Sequence, residues 1–172
     1  MLLLIDKSTK FLSIKVGVVI MEYKKISADM TLRQGIEEFR SHVPNLISKE
    51  NYSSLESQAL FEGHDAVHVV SGLGTSIVEE SLVDAFTYCA TDLKIREALK
   101  YSSLPEIKSI FKNGNKIEFI TGPLKALPRS FKIWKSSRSM PKKWSFYGWE
   151  KYIDVSLKDI RKEFGIHPEI YQ

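Results

Sequence analysis

The sequence predicts an all-α fold, a single-domain helical bundle over residues 1–172. Three observations favour this fold class. Apolar residues recur at helical spacing in several segments from residue 31 onward. Capping-box patterns, in which Ser or Thr is followed three residues later by Glu or Gln, stand where such segments begin. Hydrophobic residues make up 43% of the chain, which is enough for a core in one domain of ordinary length.

The first two predicted helices have clear start and stop signals. A capping box at Thr31 begins the first helix, and Pro44 ends it. A second box at Ser53 begins a helix that runs to about Ser71, where Gly72 is a natural terminator. These signals place two helices in succession before residue 72.

The third predicted helix begins at Ser76, and a fourth runs from Ser103 to Asn113. Cys89 falls on the apolar face of the third helix, so we expect it to be a small core residue. A single cysteine excludes an internal disulfide framework and a cysteine zinc cluster. The apolar stripe of the third helix comprises Ile77, Leu82, Phe86, Cys89 and Leu93.

Residues 1–30 and the part of the chain after residue 115 have weaker secondary-structure patterns. Residues 1–30 are ambiguous between helix and strand. We interpret residues 116–121 as a short strand or an extended link. The prolines in residues 122–142 predict irregular structure. Two further helices are predicted at about 144–152 and 156–164.

Charge and hydropathy narrow the functional classes. The formal net charge of +4 is too small to indicate nucleic-acid binding by itself. The apolar stretches at residues 1–5 and 16–21 are well short of the ~20 residues that a membrane span needs. The N-terminal residues have neither a signal-peptide nor a transit-peptide pattern. We therefore expect a soluble protein, or one that touches a membrane from one side.

The residues best suited to chemistry are His64, Asp65 and His68 in the second predicted helix. Four helical residues turn through about 400°, so both imidazoles leave one face of the helix. This spacing lets a helix offer two nitrogen ligands to one metal ion. Asp65 lies about 100° further around, where it can be a third ligand or can orient a ligand by a hydrogen bond. Two histidines at this spacing are also compatible with surface residues or a buried pair without metal.

Glu80 follows His68 after eleven residues that include a glycine turn, so the next helix can fold back toward the histidines. We predict that Glu80 is a metal ligand and that Glu79 caps its helix. Gly63, just before His64, removes bulk and is expected to make room for a ligand. The predicted cofactor is one divalent ion, with zinc as the first choice and iron or manganese as alternatives.

This pattern resembles the HDxxH-x11-E signature of the Coq-four family of ubiquinone (coenzyme Q) biosynthesis proteins. The motif is formed by His64-Asp65-x-x-His68, eleven residues and Glu80. Residues 61–72 and 149–166 are also similar, and the resemblance covers about residues 31 to 166. The family commonly has a glycine before the motif glutamate, where this chain has Glu79, and that difference leaves the ligand intact.

The resemblance implies an all-helical metal-binding protein with an apolar, lipid-sized cavity. It implies a function in oxidative decarboxylation at ring carbon one of a polyprenylated hydroxybenzoate, in organising the biosynthetic complex, or in both. The implied partners are the polyprenyl lipid substrate and other quinone-biosynthesis proteins, and a homodimer is left open. The implied location is the cytoplasm, peripheral to the inner membrane, in a bacterium, or the matrix side of the mitochondrion in a eukaryote.

Two other functions compete with this reading. Metal-dependent phosphohydrolases of the HD type also use an adjacent His-Asp pair, with an upstream histidine and a downstream aspartate. His42 and either Asp84 or Asp92 could fill those positions, but that reading leaves His68 and Glu80 without a role. The third possibility is a non-catalytic lipid-binding scaffold in which the metal only fixes two helices.

A basic, aromatic segment spans residues 125–151. It contains eight Lys or Arg residues, a single acid at Glu150 and all three tryptophans of the chain. Cations interleaved with amphipathic rings suit an anionic membrane surface, for which we single out Lys142, Lys143 and Trp144. The alternative is a solvated basic face over a partly buried aromatic cluster. Nucleic acid is not expected as a partner, because no recognised binding motif accompanies the segment.

Overall fold

The computed structural model describes residues 26–43, 52–101, 103–105, 107–108, 112 and 116–171. Within this part of the chain the structure is all-α, with two isolated β-bridges and no strand. The helices are α1 (Leu32–His42), α2 (Leu55–Ser71), α3 (Ile77–Ala90), α4 (Ile95–Tyr101), α5 (Lys116–Ser137), α6 (Leu157–Phe164) and α7 (Pro168–Tyr171), with a 3-10 turn at Trp149–Tyr152.

The predicted helix starts are confirmed at the caps of the first three helices. Thr31 forms a complete capping box with Gln34 at the start of α1. Ser54 caps α2 and Ser76 caps α3, each by accepting a backbone N–H bond in the first turn. Gly72 ends α2 in the left-handed conformation, with φ of 68°. Six of the eleven residues of the fourth predicted helix, over 103–113, are described, and residues 105, 107, 108 and 112 among them are helical. Most of the 1–30 segment lies outside the described residues.

Helix α2 lies at the centre of the core and is buried along most of its length. It packs against α1, α3 and α6. Gly35 permits the close crossing with α1, since a Cβ there would stand 2.6 Å from Val69 Cγ1. On the α6 side, the Arg161 guanidinium donates to the carbonyls of Val69 and Val70 at 3.0 Å each. These bonds hold the C-terminal turn of α2, which carries His68, in a fixed position.

The prediction of irregular structure over 122–142 is wrong for residues 122–137 and confirmed for 138–142. The prediction of a strand or link over 116–121 is wrong. Helix α5 runs from Lys116 to Ser137 through Pro123 and Pro128. A proline inside a helix costs about 3 kcal/mol. Packing outweighs that cost, because the contact between α5 and α3 is the most extensive between any two described elements. A Cβ on Gly122 would lie 2.8 Å from Ile77 Cγ2, so the two helices touch backbone to side chain.

The predicted helix at 144–152 is reduced to the 3-10 turn at its end. Trp144 instead forms a parallel bridge with Thr91, and its backbone N–H donates to Ala90 O at 2.9 Å. The predicted helix at 156–164 is confirmed by α6. This helix ends at Gly165, which is in the left-handed conformation with φ of 67°.

Among the described residues, every helix is too short or too polar to span a bilayer. The apolar, lipid-sized cavity implied by the resemblance stays a prediction. Cys89 is half-buried and packs against the core, close to the position expected for it.

Candidate metal centre

Three of the four predicted ligands converge. His64 Nε2 lies 3.6 Å from one carboxylate oxygen of Glu80, and His68 Nε2 lies 3.6 Å from the other. One donor atom from each residue lies within 4.8 Å of the other two. His68 and Glu80 are buried, and the His64 side chain is 20% exposed. The group therefore has the donor types and the spacing that could hold a metal ion.

Both imidazoles are in the form that can bind a metal. Burial lowers the pKa of His68 to about 3, and burial together with the nearby His68 lowers the pKa of His64 well below its usual range. A neutral imidazole is the form that coordinates a metal ion. A tetrahedral zinc ion separates its donor atoms by roughly 3.4 Å. The two distances of 3.6 Å, which run to different oxygens of Glu80, are close to that value, and the donor set as a whole lies within 4.8 Å. The donor set thus fits a small divalent ion placed between the three side chains.

A backbone hydrogen bond fixes the tautomer of His68. Its Nδ1 lies 2.9 Å from the carbonyl oxygen of Leu73, so Nδ1–H donates and Nε2 keeps its lone pair. The ring of Phe39, from α1, stacks on His68 with the centroids 4.8 Å apart. His68 also meets the edge of His64 at 4.6 Å. These contacts hold the imidazole at a set angle before any ion binds.

The turn between α2 and α3 brings Glu80 to the histidines. The N–H groups of Gly72 and Leu73 both donate to His68 O, which ends α2 and reverses the chain. Glu79 caps α3 as predicted: its N–H donates to Ser76 Oγ, and its carboxylate accepts from the same hydroxyl. Gly74 lies directly against Glu79, where a Cβ would meet a carboxylate oxygen at 2.8 Å. These contacts fix the first turn of α3, so that the carboxylate of Glu80, the next residue, faces His64 and His68.

Asp65 is placed elsewhere. Its Oδ2 accepts from Arg40 Nε at 2.8 Å, and it is not one of the converging donors. Burial raises the pKa of Asp65 to about 6, although Arg40 acts in the opposite direction. Tyr52 belongs to the same cluster, and burial, followed by the charge of Asp65, raises its pKa to about 12. Of the two roles left open for Asp65, the structure places it beside the ligands rather than among them.

The expectation that Gly63 makes room for a ligand is corrected. A Cβ at Gly63 would lie 2.8 Å from both Cε1 and the carbonyl oxygen of Phe146. The space beside α2 is therefore taken by the segment that follows α5. Asp92 anchors this segment, because its carboxylate accepts from Phe146 N at 2.8 Å and from Ser145 Oγ at 3.0 Å.

The expectation that Trp144 lies on a membrane surface is also corrected. Trp144 is 0% exposed and packs against Phe164 with the ring centroids 5.0 Å apart. Lys142 pairs with Glu163, and its ammonium lies 4.4 Å from the centroid of Phe164. Lys143 donates to the carbonyl of Cys89. Lys142 thus ties the segment to α6, and Lys143 ties it to α3. The ring of Trp144, which follows the two lysines, belongs to the core.

The residues needed for a phosphohydrolase do not converge on the His64–Asp65 pair, and His42 and Asp92 make other contacts. His42 Nδ1 lies 2.9 Å from Glu38 O and 3.4 Å from a Glu38 carboxylate oxygen. Asp92 holds the loop described above, and Asp84 is exposed on α3. His42 and these aspartates are not among the residues that converge with His64.

Sequence reasoning missed Phe39 and the carbonyl of Leu73, which hold His68, and Arg40, which pairs with Asp65. Phe39 and Arg40 lie in α1, 25 or more residues from the atoms they contact, and no short-range pattern connects them to the motif. The Leu73 contact is a backbone one, and any residue type could make it.

Comparison of the chain with known protein families, with curated proteins and with solved structures found no match.

Proposed function

We propose that this protein binds one divalent metal ion through His64, His68 and Glu80 and acts in quinone biosynthesis. The observation that carries the proposal is the approach of both neutral imidazole Nε2 atoms to the two oxygens of Glu80, at 3.6 Å each. Two histidines and one glutamate form a donor set that catalytic zinc sites use, with a further position left for water or substrate. Zinc is the first choice, and iron or manganese fits the same donors.

The proposed substrate class is a polyprenylated hydroxybenzoate, by the resemblance of the motif to the Coq-four family. Arg40 supports a ligand that carries a carboxylate. Its Nε is bonded to Asp65, whereas its Nη2 is buried and has no hydrogen-bond partner among the described residues. A cationic donor therefore remains next to the metal helix, and a carboxylate is a natural acceptor for a guanidinium.

In this proposal the protein's own residues bind and orient the ring. His68 is held by Leu73 O and by the Phe39 ring, so the donor group does not need to reorganise when the substrate arrives. Arg40 orients the carboxylate. A bound divalent ion would supply Lewis-acid stabilisation of the negative charge that develops as the carboxyl group leaves. Replacing the carboxyl group by a hydroxyl group releases CO₂ and takes one oxygen atom from O₂, while the other oxygen atom leaves as water. The proposal assigns the supply of the two electrons and two protons for this reduction to a partner protein of quinone biosynthesis.

Metal content tests the first half of the proposal. Elemental analysis should find about one equivalent of zinc, iron or manganese per chain, and much less in His68→Ala and Glu80→Ala. His167→Ala is the matched control, because His167 is the exposed histidine beside α7 and pairs only with Glu169 in the described contacts. Absence of metal from the wild type after supply of all three ions would refute the site.

Complementation tests the second half. The wild type should restore quinone synthesis in cells that lack their own Coq-four function, and Glu80→Ala should not, although it should fold to the same helix content. Full rescue by Glu80→Ala would favour the scaffold over the metal-dependent role. A wild type that fails to rescue but releases phosphate from nucleotides would favour the phosphohydrolase, to which no described contact gives specific support.

A further inference from the structure

Helix α5 presents a row of large apolar side chains to solvent. The members are Ile120, Leu124, Leu127, Phe131 and Trp134, with exposed fractions of 67%, 58%, 59%, 62% and 42%. We call these five residues the apolar row. At about 100° per residue they lie within roughly 80° of one another around the helix, and they extend over about 21 Å. A contiguous exposed apolar surface of this kind marks an interaction site in a soluble domain.

The apolar row is separate from the face by which α5 joins the core. Gly122, Ala126, Ile133 and Ser137 are the buried residues of this helix, and Gly122 lies against Ile77 of α3. Their mean direction is roughly 130° away from that of the apolar row. The core of this domain therefore covers one face of α5, whereas the apolar row on another face stays exposed among the described residues.

The charges around the apolar row are almost all positive. Between residues 116 and 138 the acidic side chain is Glu118, against six basic ones. The guanidinium of Arg138 lies over the ring of Trp134, 5.0 Å from its centroid. Apolar side chains of the Leu, Phe and Trp types bordered by Lys and Arg are typical of helices that lie in the interface of an anionic membrane. Lys116, Lys135 and Arg138 lie within roughly 60° of the mean direction of the apolar row, and Lys125 and Lys132 lie further around the helix. Arg129 lies on the opposite side, where its Nε donates to the carbonyl oxygen of Tyr171.

We infer that the apolar row of α5 is the surface by which this protein lies on an anionic membrane, with its flanking cations against the lipid headgroups. The helix is oriented parallel to the bilayer plane, in agreement with the finding that no described helix can span it. This assignment replaces Trp144 and its neighbouring lysines as the membrane-facing residues of the basic segment, and it does not depend on the metal.

A second copy of this chain is the main rival occupant, because the steps of four, three, four and three residues also suit a coiled-coil seam. The positions that border such a seam on α5 argue against it. In an α-helical dimer these positions usually carry opposite charges that pair between the helices. Here they hold Thr121, Pro123, Pro128, Ser130 and Lys135, without an acidic side chain. These positions therefore give a second copy no opposite charge with which to pair, whereas anionic lipids complement the basic side chains of α5.

Vesicle sedimentation of the full chain tests the inference. Vesicles of equal parts phosphatidylglycerol and phosphatidylcholine should sediment the wild type, and pure phosphatidylcholine should sediment at least tenfold less. The triple variant Leu124→Gln, Leu127→Gln, Phe131→Gln should lose at least tenfold in partitioning, with unchanged helix content, because Gln is a good helix former. Leu55→Gln is the matched control, since Leu55 is 84% exposed at the start of α2; it should bind as the wild type does.

Fluorescence gives a second measurement. Trp134 is the most exposed tryptophan, so its emission should shift to the blue on anionic vesicles, and Trp134→Phe should abolish the shift. A triple variant that sediments like the wild type would overturn the inference, as would a wild type that binds neither vesicle. A lipid-free dimer that the triple variant converts to monomer would assign the apolar row to a second copy instead. Metal content reports separately on the proposed function, and it should be unchanged in the triple variant.

Discussion

The ion pair between Arg40 and Asp65 can be separated by mutation from the metal group beside it. Asp65 lies next to His64 in the sequence, yet its carboxylate accepts from Arg40 Nε at 2.8 Å. We expect Arg40→Met to destabilise the protein, because it leaves a buried carboxylate without its cation. We expect Asp65→Asn to destabilise it less and to leave the metal content near one equivalent.

The magnitude follows from how deeply each partner is buried. Asp65 is 4% exposed, whereas the Arg40 side chain is 28% exposed. Removing one partner of a fully buried pair costs about 3–5 kcal/mol, and water near Arg40 places this case at the lower end, about 3 kcal/mol. In a domain of this length that corresponds to a fall in Tm of about 6–12 °C. Asp65→Asn leaves a cation that water can reach, so its cost is about 1–2 kcal/mol.

A double-mutant cycle in metal-free protein measures the coupling. Urea unfolding of the wild type, both single variants and the double variant should place the double variant close to Asp65→Asn. The coupling free energy is then about 3 kcal/mol, which equals the cost of Arg40→Met alone. Additive effects would show that the pair does not act as a unit. If Asp65→Asn instead lost its metal as fully as His68→Ala, Asp65 would be a ligand and the interpretation of the pair would be wrong.

Three further predictions concern the supports of the site. Gly63→Ala should cost about 1–3 kcal/mol in unfolding free energy, because its Cβ meets backbone and ring atoms of Phe146, and Gly148→Ala, which meets only the Ser145 side chain, should cost less. Arg161→Met should lower the free energy of unfolding in urea by about 2 kcal/mol, since two carbonyls of α2 lose a charged donor. Arg33→Met is the control: it breaks an exposed pair with Asp154 and should lower that free energy by under about 1 kcal/mol. Equal losses in the two variants would contradict the reasoning. Metal at a hundredfold its Kd should raise Tm by about 5–11 °C in the wild type and not in Glu80→Ala, as followed by thermal unfolding with and without chelator; a chelator-independent Tm would count against metal binding.

The metal group was predictable because its geometry is local. The four-residue spacing of His64 and His68 fixes their common face on a helix, and a glycine turn fixes the return of Glu80. Asp65 was ambiguous for a physical reason: its position at the edge of that face permits either a metal or a neighbouring helix as its partner. The choice depends on Arg40, whose contact with Asp65 spans 25 residues of sequence.

The errors arose where long-range packing opposed a local signal. Pro123 and Pro128 are correct local indicators of a break, but the close contact of α5 with α3 keeps the helix intact. Trp144 looked like an interfacial ring in the sequence because lysines precede it. Its burial depends on Thr91 and Phe164, which lie far along the chain in either direction. Gly63 was interpreted as space for a ligand because no pattern close to it in the sequence predicts its contact with Phe146.

The turn between α2 and α3 also sets the point in synthesis at which a nascent chain holds all three converging donor residues. Glu80 precedes Ser137, the last residue of α5, by 137 − 80 = 57 residues. During synthesis from the N-terminus, both histidines and the glutamate have therefore left the ribosome long before the helix that covers α3 is complete. The loop that the three ligands close is short, so its entropic cost is small. An ion captured at this stage would join α2 to α3 before α5 packs on them, and metal supply during translation would then influence the yield of folded protein.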